Sequence, residues 1–272
     1  MTKGKKTSIK TILFDMDGVL WRGYDPIVDL RSLFDRIDDM GWNSICITNN
    51  STHKVDDYLK KIKELGVILK VDQLITSAEA TGNYLVEHFP PGGSLYVIGE
   101  DGLIETLQNR SFLVVDNPEH DIVDAVIVGL DFQFSYEKLY HAMNYVIKGA
   151  PLIGTNPDLA IPIPDGFAPG AGSILSAIES AAGRKATIIG KPGQYVFQLA
   201  LGRTNTKPEQ AIMIGDRLET DIKGAQSLGI KTGVVLSGVT SQEMVDSWSP
   251  APDYVANDVE QMLDLLIKSH EE

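Results

Sequence analysis

The chain has 272 residues, 43% hydrophobic and 22% charged, a balance that fits a folded globular protein and excludes a disordered or fibrous one. That length suits a domain carrying an insertion, with ample core and no need of disulfides. A formal net charge of −13 excludes general affinity for nucleic acid or an anionic membrane, so any anionic ligand must meet local positive charge from a metal, a lysine or backbone amides.

Elements follow in chain order. The basic start, Met1 to Lys6, precedes no long apolar segment before Asp15, so the expectation is of no signal peptide, no membrane span and a cytoplasmic setting. The apolar run Thr11-Ile12-Leu13-Phe14 predicts a buried strand ending in Asp15-Met16-Asp17-Gly18. Ile27, Leu30, Leu33, Phe34, Ile37 and Met40 recur at helical spacing, with Gly41 as the stop. A strand follows at Ser44 to Thr48; it holds the single cysteine, Cys46, which reads as a buried structural thiol. Next come a helix from Val55 to Leu65, stopped by Gly66, and a strand at Leu74 to Thr76.

The middle reads as a second α/β unit over roughly residues 82–183. Its predicted strands are Leu95 to Ile98, Phe112 to Val115, Ala125 to Val128 and Leu152 to Ile153, with helices at Leu103 to Leu107 and Tyr136 to Ile147. Strands at Ala186 to Ile189, Ala211 to Ile214 and Lys231 to Val235 then alternate with helices at Tyr195 to Leu201 and Asp221 to Leu228. A closing helix runs from Val259 to Ile267. The fold class is therefore α/β: a parallel-sheet, Rossmann-like core over 1–81 and 184–272, interrupted by an α/β insertion.

Polar groups stand directly after four of the outer strands: Asp15 and Asp17, Thr48-Asn49-Asn50-Ser51, Gly190-Lys191-Pro192, and Gly215-Asp216 through Asp221. In one parallel sheet all these ends share an edge, where such folds place ligands. Each motif alone also reads as a turn or a helix cap. Together, carboxylates, a hydroxyl, a lysine and turn amides suit phosphoryl transfer to Asp15. Mg²⁺ would be held by Asp15 and Asp216, with Asp221 orienting the metal shell from behind. Thr48, the amides around Asn49 and Lys191 would neutralise phosphoryl oxygens, and Asp17 would carry the proton. The five histidines show no ligand spacing and read as surface or helix residues.

These four motifs resemble those of the haloacid dehalogenase superfamily, and more closely its NagD-type, p-nitrophenylphosphatase-like branch, whose large α/β cap is inserted between the second and third motifs. Val128-Gly129-Leu130-Asp131, Thr155-Asn156-Pro157-Asp158 and Pro169-Gly170-Ala171-Gly172 are also similar to stretches of that branch. The resemblance implies a Mg²⁺-dependent phosphatase acting on a small phosphorylated metabolite through an aspartyl-phosphate, with 82–183 as the cap. It implies Asp15 as nucleophile, Asp17 as general acid/base, and Mg²⁺ on Asp15, Asp216 and the Asp17 carbonyl. Thr48, Asn49 and Lys191 match phosphate-contacting positions, with Asn50 beside them; Lys191 counts among the catalytic residues. It also suggests a homodimer through the cap. Asp25-Pro26-Ile27-Val28-Asp29 lacks the Pro-Gly pair of many relatives, which bears on the shape of that loop.

Two other readings share the aspartyl-phosphate. A receiver-like signalling domain also uses strand-end carboxylates, a Thr and a Lys, but has no use for an acid beside the nucleophile or for a large insertion. A phosphomutase using the same intermediate stays open.

Overall fold

The computed structural model describes residues 8–115, 122–163 and 166–271. The basic start and His120 lie outside the described residues. The chain divides into two compact units: one takes the described residues up to Thr48, Tyr58–Ile75 and those from Phe197 on, the other Asn49–Asp57 and Thr76–Val196.

The first unit is built on a six-stranded sheet in the order Tyr254–Ala256, Lys231–Val235, Ala211–Gly215, Thr11–Phe14, Asn43–Thr48, Leu74–Thr76. Thr11–Phe14 pairs in parallel with both Ala211–Ile214 and Asn43–Cys46. All four of its residues are buried, as a strand covered on both faces requires. The helix expected from Ile27 starts later, at Leu30, because the Asp29 side chain caps it by accepting from the Ser32 amide at 3.2 Å. Leu30, Leu33, Phe34 and Ile37 form its buried face, and Gly41, at φ +66°, ends it. The expected helix at Asp221 opens instead with a wide π-helical turn over Leu218–Ile222, followed by a short α segment, Lys223–Gln226.

The second unit holds a five-stranded sheet in the order Thr187–Ile188, Leu152–Gly154, Ala125–Val128, Ser94–Ile98, Leu113–Val115, with every pair parallel. Tyr96, Ile98, Val126, Val128, Tyr145, Leu175 and Ile178 lie in its core. Here one expectation is corrected. The strand before Gly190-Lys191 does not join the sheet that carries Asp15 and Asp216; Thr187 and Ile188 pair with Ile153 and Gly154. The ladder continues through Ile189 N–H to the Gly154 carbonyl at 3.0 Å and Gly190 N–H to the Thr155 carbonyl at 2.8 Å. An apolar run marks a strand but does not name its partner.

Three helices were not anticipated: Ser77–His88, Ala171–Ala182 and Gln242–Ser247. Small residues (Ser77, Ala78, Ala80, Thr81 and Gly82) make up much of the buried face of the first, so large apolar side chains do not trace its period. Asp25-Pro26, in the loop that lacks the Pro-Gly pair, pairs as a hairpin with Trp21–Arg22.

Candidate active site

The Asp15 amide donates to the Ile214 carbonyl at 2.9 Å, which extends the ladder one residue past the strand and leaves Asp15 buried. Strand geometry then stops. The Met16 carbonyl accepts from the Leu20 amide at 2.8 Å, and Gly18 turns at φ +86°. Met16 is buried while Asp17 is exposed, its Oδ1 accepting from Trp21 Nε1 at 2.9 Å. Partial burial lowers the pKa of the nearby Lys61 amine, against the opposing pull of the Asp17 charge. Cys46 is fully buried, and that burial, with Asp15 adding to it, pushes its thiol up to about 12, which fits an inert structural role.

Asp216 stands just past its own strand, 1% exposed, and Asp221 is wholly buried. Asp15, Asp216 and Asp221 each offer a carboxylate oxygen, and the three atoms lie within 4.8 Å of one another. The π turn delivers Asp221: its Oδ2 accepts from the Arg217 amide at 3.0 Å. Asp221, expected behind the metal shell, thus brings its carboxylate into the cluster itself. Burial first, then the charges of Asp15 and Asp221, push the Asp216 carboxyl up to about 8, despite the opposing Val239 amide and Arg217.

The walls around Asp216 are main chain. Its Oδ2 accepts from the Val239 amide at 2.8 Å. A Cβ on Gly238 would fall 1.9 Å from that oxygen, and one on Gly18 2.4 Å from it. A Cβ on Gly215 would meet Asp221 at 2.3 Å. The Ser237-Gly238-Val239 loop was missed by sequence reasoning, since nothing in its composition signals so close an approach.

Three clustered carboxylates are hard anionic donors of the kind that hold Mg²⁺. Asp216 Oδ1 is buried and has no hydrogen-bond partner among the described residues, so the residues present fit a divalent cation.

Thr48 is buried at the end of its strand in the first unit, whereas Asn49, Asn50 and Lys191 belong to the second. Asn49 Nδ2 donates to the Lys191 carbonyl at 2.8 Å and to Asp158 Oδ2 at 3.1 Å. The Asn49 carbonyl accepts from Ser77 Oγ and Asn156 Nδ2, each at 2.7 Å. Lys191 is 2% exposed. Asn50 Oδ1 closes its own loop, accepting from the Thr52 amide at 2.8 Å and the His53 amide at 3.1 Å. The two Asn side chains therefore have a loop-building task that the sequence did not reveal. Asp131, which ends the family-like stretch Val128-Gly129-Leu130-Asp131, is paired with Lys138 at 2.6 Å.

A strand-tip aspartate followed by a tight turn, with two further buried aspartates gathered beside it, is the arrangement of the haloacid dehalogenase-like hydrolases, and the chain belongs to that family. Models of the family match residues 12–112 (haloacid dehalogenase-like hydrolase) and 188–262 (HAD-hydrolase-like). Within it, the chain falls in the branch of NagD and the p-nitrophenylphosphatases, which carry a cap. It is 36% identical over 259 residues to an acid sugar phosphatase of Staphylococcus aureus (strain MRSA252), covering 95% of this chain and 98% of the relative. A p-nitrophenyl phosphatase from Archaeoglobus fulgidus shares the fold with a TM-score of 0.88 at 27% identity, over 95% of this chain and 99% of that one. A glycerol phosphate phosphatase from Mycobacterium tuberculosis, solved in complex with magnesium, gives 0.85 at 26% identity, over 94% and 76%.

Proposed function

We propose that the protein is a Mg²⁺-dependent phosphatase that hydrolyses small phosphomonoesters, of the sugar phosphate, glycerol phosphate or p-nitrophenyl phosphate type, through an aspartyl-phosphate. The observation that carries this reading is the buried cluster of Asp15, Asp216 and Asp221, whose mutual repulsion calls for a cation. Its relatives are phosphatases for small esters, which supports the substrate class. Among the described residues no helix is long and apolar enough to cross a membrane.

Asp15 would attack phosphorus, forming its Oδ–P bond as the P–O bond to the leaving group breaks. Asp17 would give its proton to the departing alkoxide. Water then attacks the aspartyl-phosphate, Asp17 takes a proton from it, and the Asp15–phosphorus bond breaks to release phosphate. Mg²⁺, held by Asp15, Asp216 and the Asp17 carbonyl, with Asp221 beside them, would supply positive charge for the phosphoryl oxygens. The Thr48 hydroxyl, the amides of Asn49 and Asn50 and the Lys191 amine would bind the remaining oxygens. Asn49 would also hold the Lys191 main chain in place. The second unit, with the five-stranded sheet that takes in Thr187–Ile188, would form the inserted cap that selects the alcohol.

The test is phosphate release from a panel of phosphomonoesters with and without Mg²⁺. Metal-dependent turnover that Asp15→Asn abolishes, with the fold intact, is expected. A stable phosphoenzyme without turnover would favour the signalling reading instead.

A further inference from the structure

Trp21 lies four residues after Asp17, beyond the tight turn over Met16. Its ring is fully buried, yet its one polar atom is not spent on the core: Nε1 donates to Asp17 Oδ1 at 2.9 Å. The same two residues form a backbone bridge, and the Gly18 amide donates to the Trp21 carbonyl at 2.8 Å. The indole is clamped from outside. Lys61 Nζ sits 4.2 Å from the ring centroid and donates to the Gly23 carbonyl at 2.7 Å. Arg22 Nε donates to the Ser237 carbonyl and Ser237 Oγ to the Gly18 carbonyl, each at 2.7 Å. The hairpin that presents the indole is thus tied into the loop whose Val239 amide holds Asp216.

An indole N–H can only donate. While that bond stands, Asp17 Oδ1 is engaged as an acceptor, which favours Oδ2 as the oxygen that carries the proton. We propose that Trp21 is a positioning residue for the proton-transfer step, its indole N–H fixing the orientation of the Asp17 carboxyl from which the proton is given and taken. This rests on the reading of Asp17 as acid and base in a phosphatase. The chemistry makes the effect selective. An alkoxide leaving group needs the proton as the P–O bond breaks, and p-nitrophenolate does not.

The test replaces Trp21 by 3-benzothienylalanine, which keeps the ring and exchanges the N–H for sulfur, beside Trp21→Phe and Asp17→Asn. Each is assayed with Mg²⁺ on glycerol phosphate and on p-nitrophenyl phosphate. For both Trp21 variants, kcat/KM on glycerol phosphate, which covers the steps up to alcohol release, should fall about 10- to 100-fold, with kcat/KM on p-nitrophenyl phosphate within about threefold of wild type; any loss in the shared hydrolysis of the aspartyl-phosphate lowers kcat on both esters alike. Equal loss of kcat/KM on both substrates, or none on either, assigns Trp21 to packing and overturns the proposal. If Asp17→Asn itself loses kcat/KM equally on both substrates, the acid reading of Asp17 falls. If the unmodified protein releases phosphate neither from these esters nor from a panel of sugar phosphates, the phosphatase reading falls before either.

Discussion

The two parallel sheets end their strands in different ways. In the first unit the tips gather acids that repel one another: Asp15, Asp216 and Asp221, with a buried Asp216 oxygen that no described donor meets. In the second unit the tips are largely spent on one another. Asp131 pairs with Lys138, the Phe132 amide donates to Glu100 at 2.8 Å, and Asp158 and the Lys191 carbonyl accept from Asn49, the residue after Asn43–Thr48. Both edges are polar and both would pass as turns in sequence. Electrostatic conflict left standing at one edge, and resolved at the other, marks where a cation is called for.

The sharpest way to break that contrast is at Asp15. Asp15→Asn should lower kcat by about 10³-fold or more while leaving the thermal transition intact, because it removes the attacking oxygen and relieves a repulsion at once. A variant with substantial turnover would detach the cluster from the chemistry. Next is Gly238→Ala, which drives a methyl into Asp216 Oδ2; Mg²⁺ affinity from kinetic titration should weaken about 10- to 100-fold. Unchanged affinity would mean that the cradle can give way.

The conflict itself should be visible in stability. The Asp216 carboxyl is raised in the folded protein, so between its ordinary value and about 8 the native state binds more protons than the unfolded one. Metal-free protein should therefore lose stability as pH rises through that window, and Mg²⁺ should restore it at pH 8. Melting curves in chelator at pH 5 and pH 8, then with Mg²⁺, check the sign; a chelated protein that is more stable at pH 8 would contradict it. The smallest effect belongs to the satisfied edge. Asn50→Ala removes the acceptor for two loop amides and should cost about 1 kcal/mol in denaturant unfolding, with kcat close to wild type.

Much of this was legible in the chain because the informative residues are local. Thr11 to Phe14 announce a central strand by continuous apolar character, and an acid immediately after such a run marks the strand tip. The spacing from Leu30 to Ile37 and the stops at Gly41 and Gly66 likewise depend only on near neighbours. What failed depends on remote pairing. Thr187–Ile188 reads as a strand, but its choice of Ile153–Gly154 is made by main-chain hydrogen bonds common to every residue type. Gly238 carries no signal because its value lies in a contact with Asp216, 22 positions away only by way of the fold. Trp21 is buried as any tryptophan at the end of an apolar run would be; its hydrogen bond to Asp17 depends on a turn set by Met16 and Gly18.

The glycine cradle around Asp216 has a further consequence. A site walled by side chains can be retuned by small substitutions, each shifting a rotamer or a volume. Here the confining atoms at Gly18 and Gly238 belong to the peptide backbone, where any added carbon collides with the carboxylate. Attempts to adapt the protein to a larger or softer cation will find no gradual route through these positions. They will have to exchange the carboxylates themselves, starting with Asp221, whose anchoring amide at Arg217 is supplied by the main chain whatever side chain it bears.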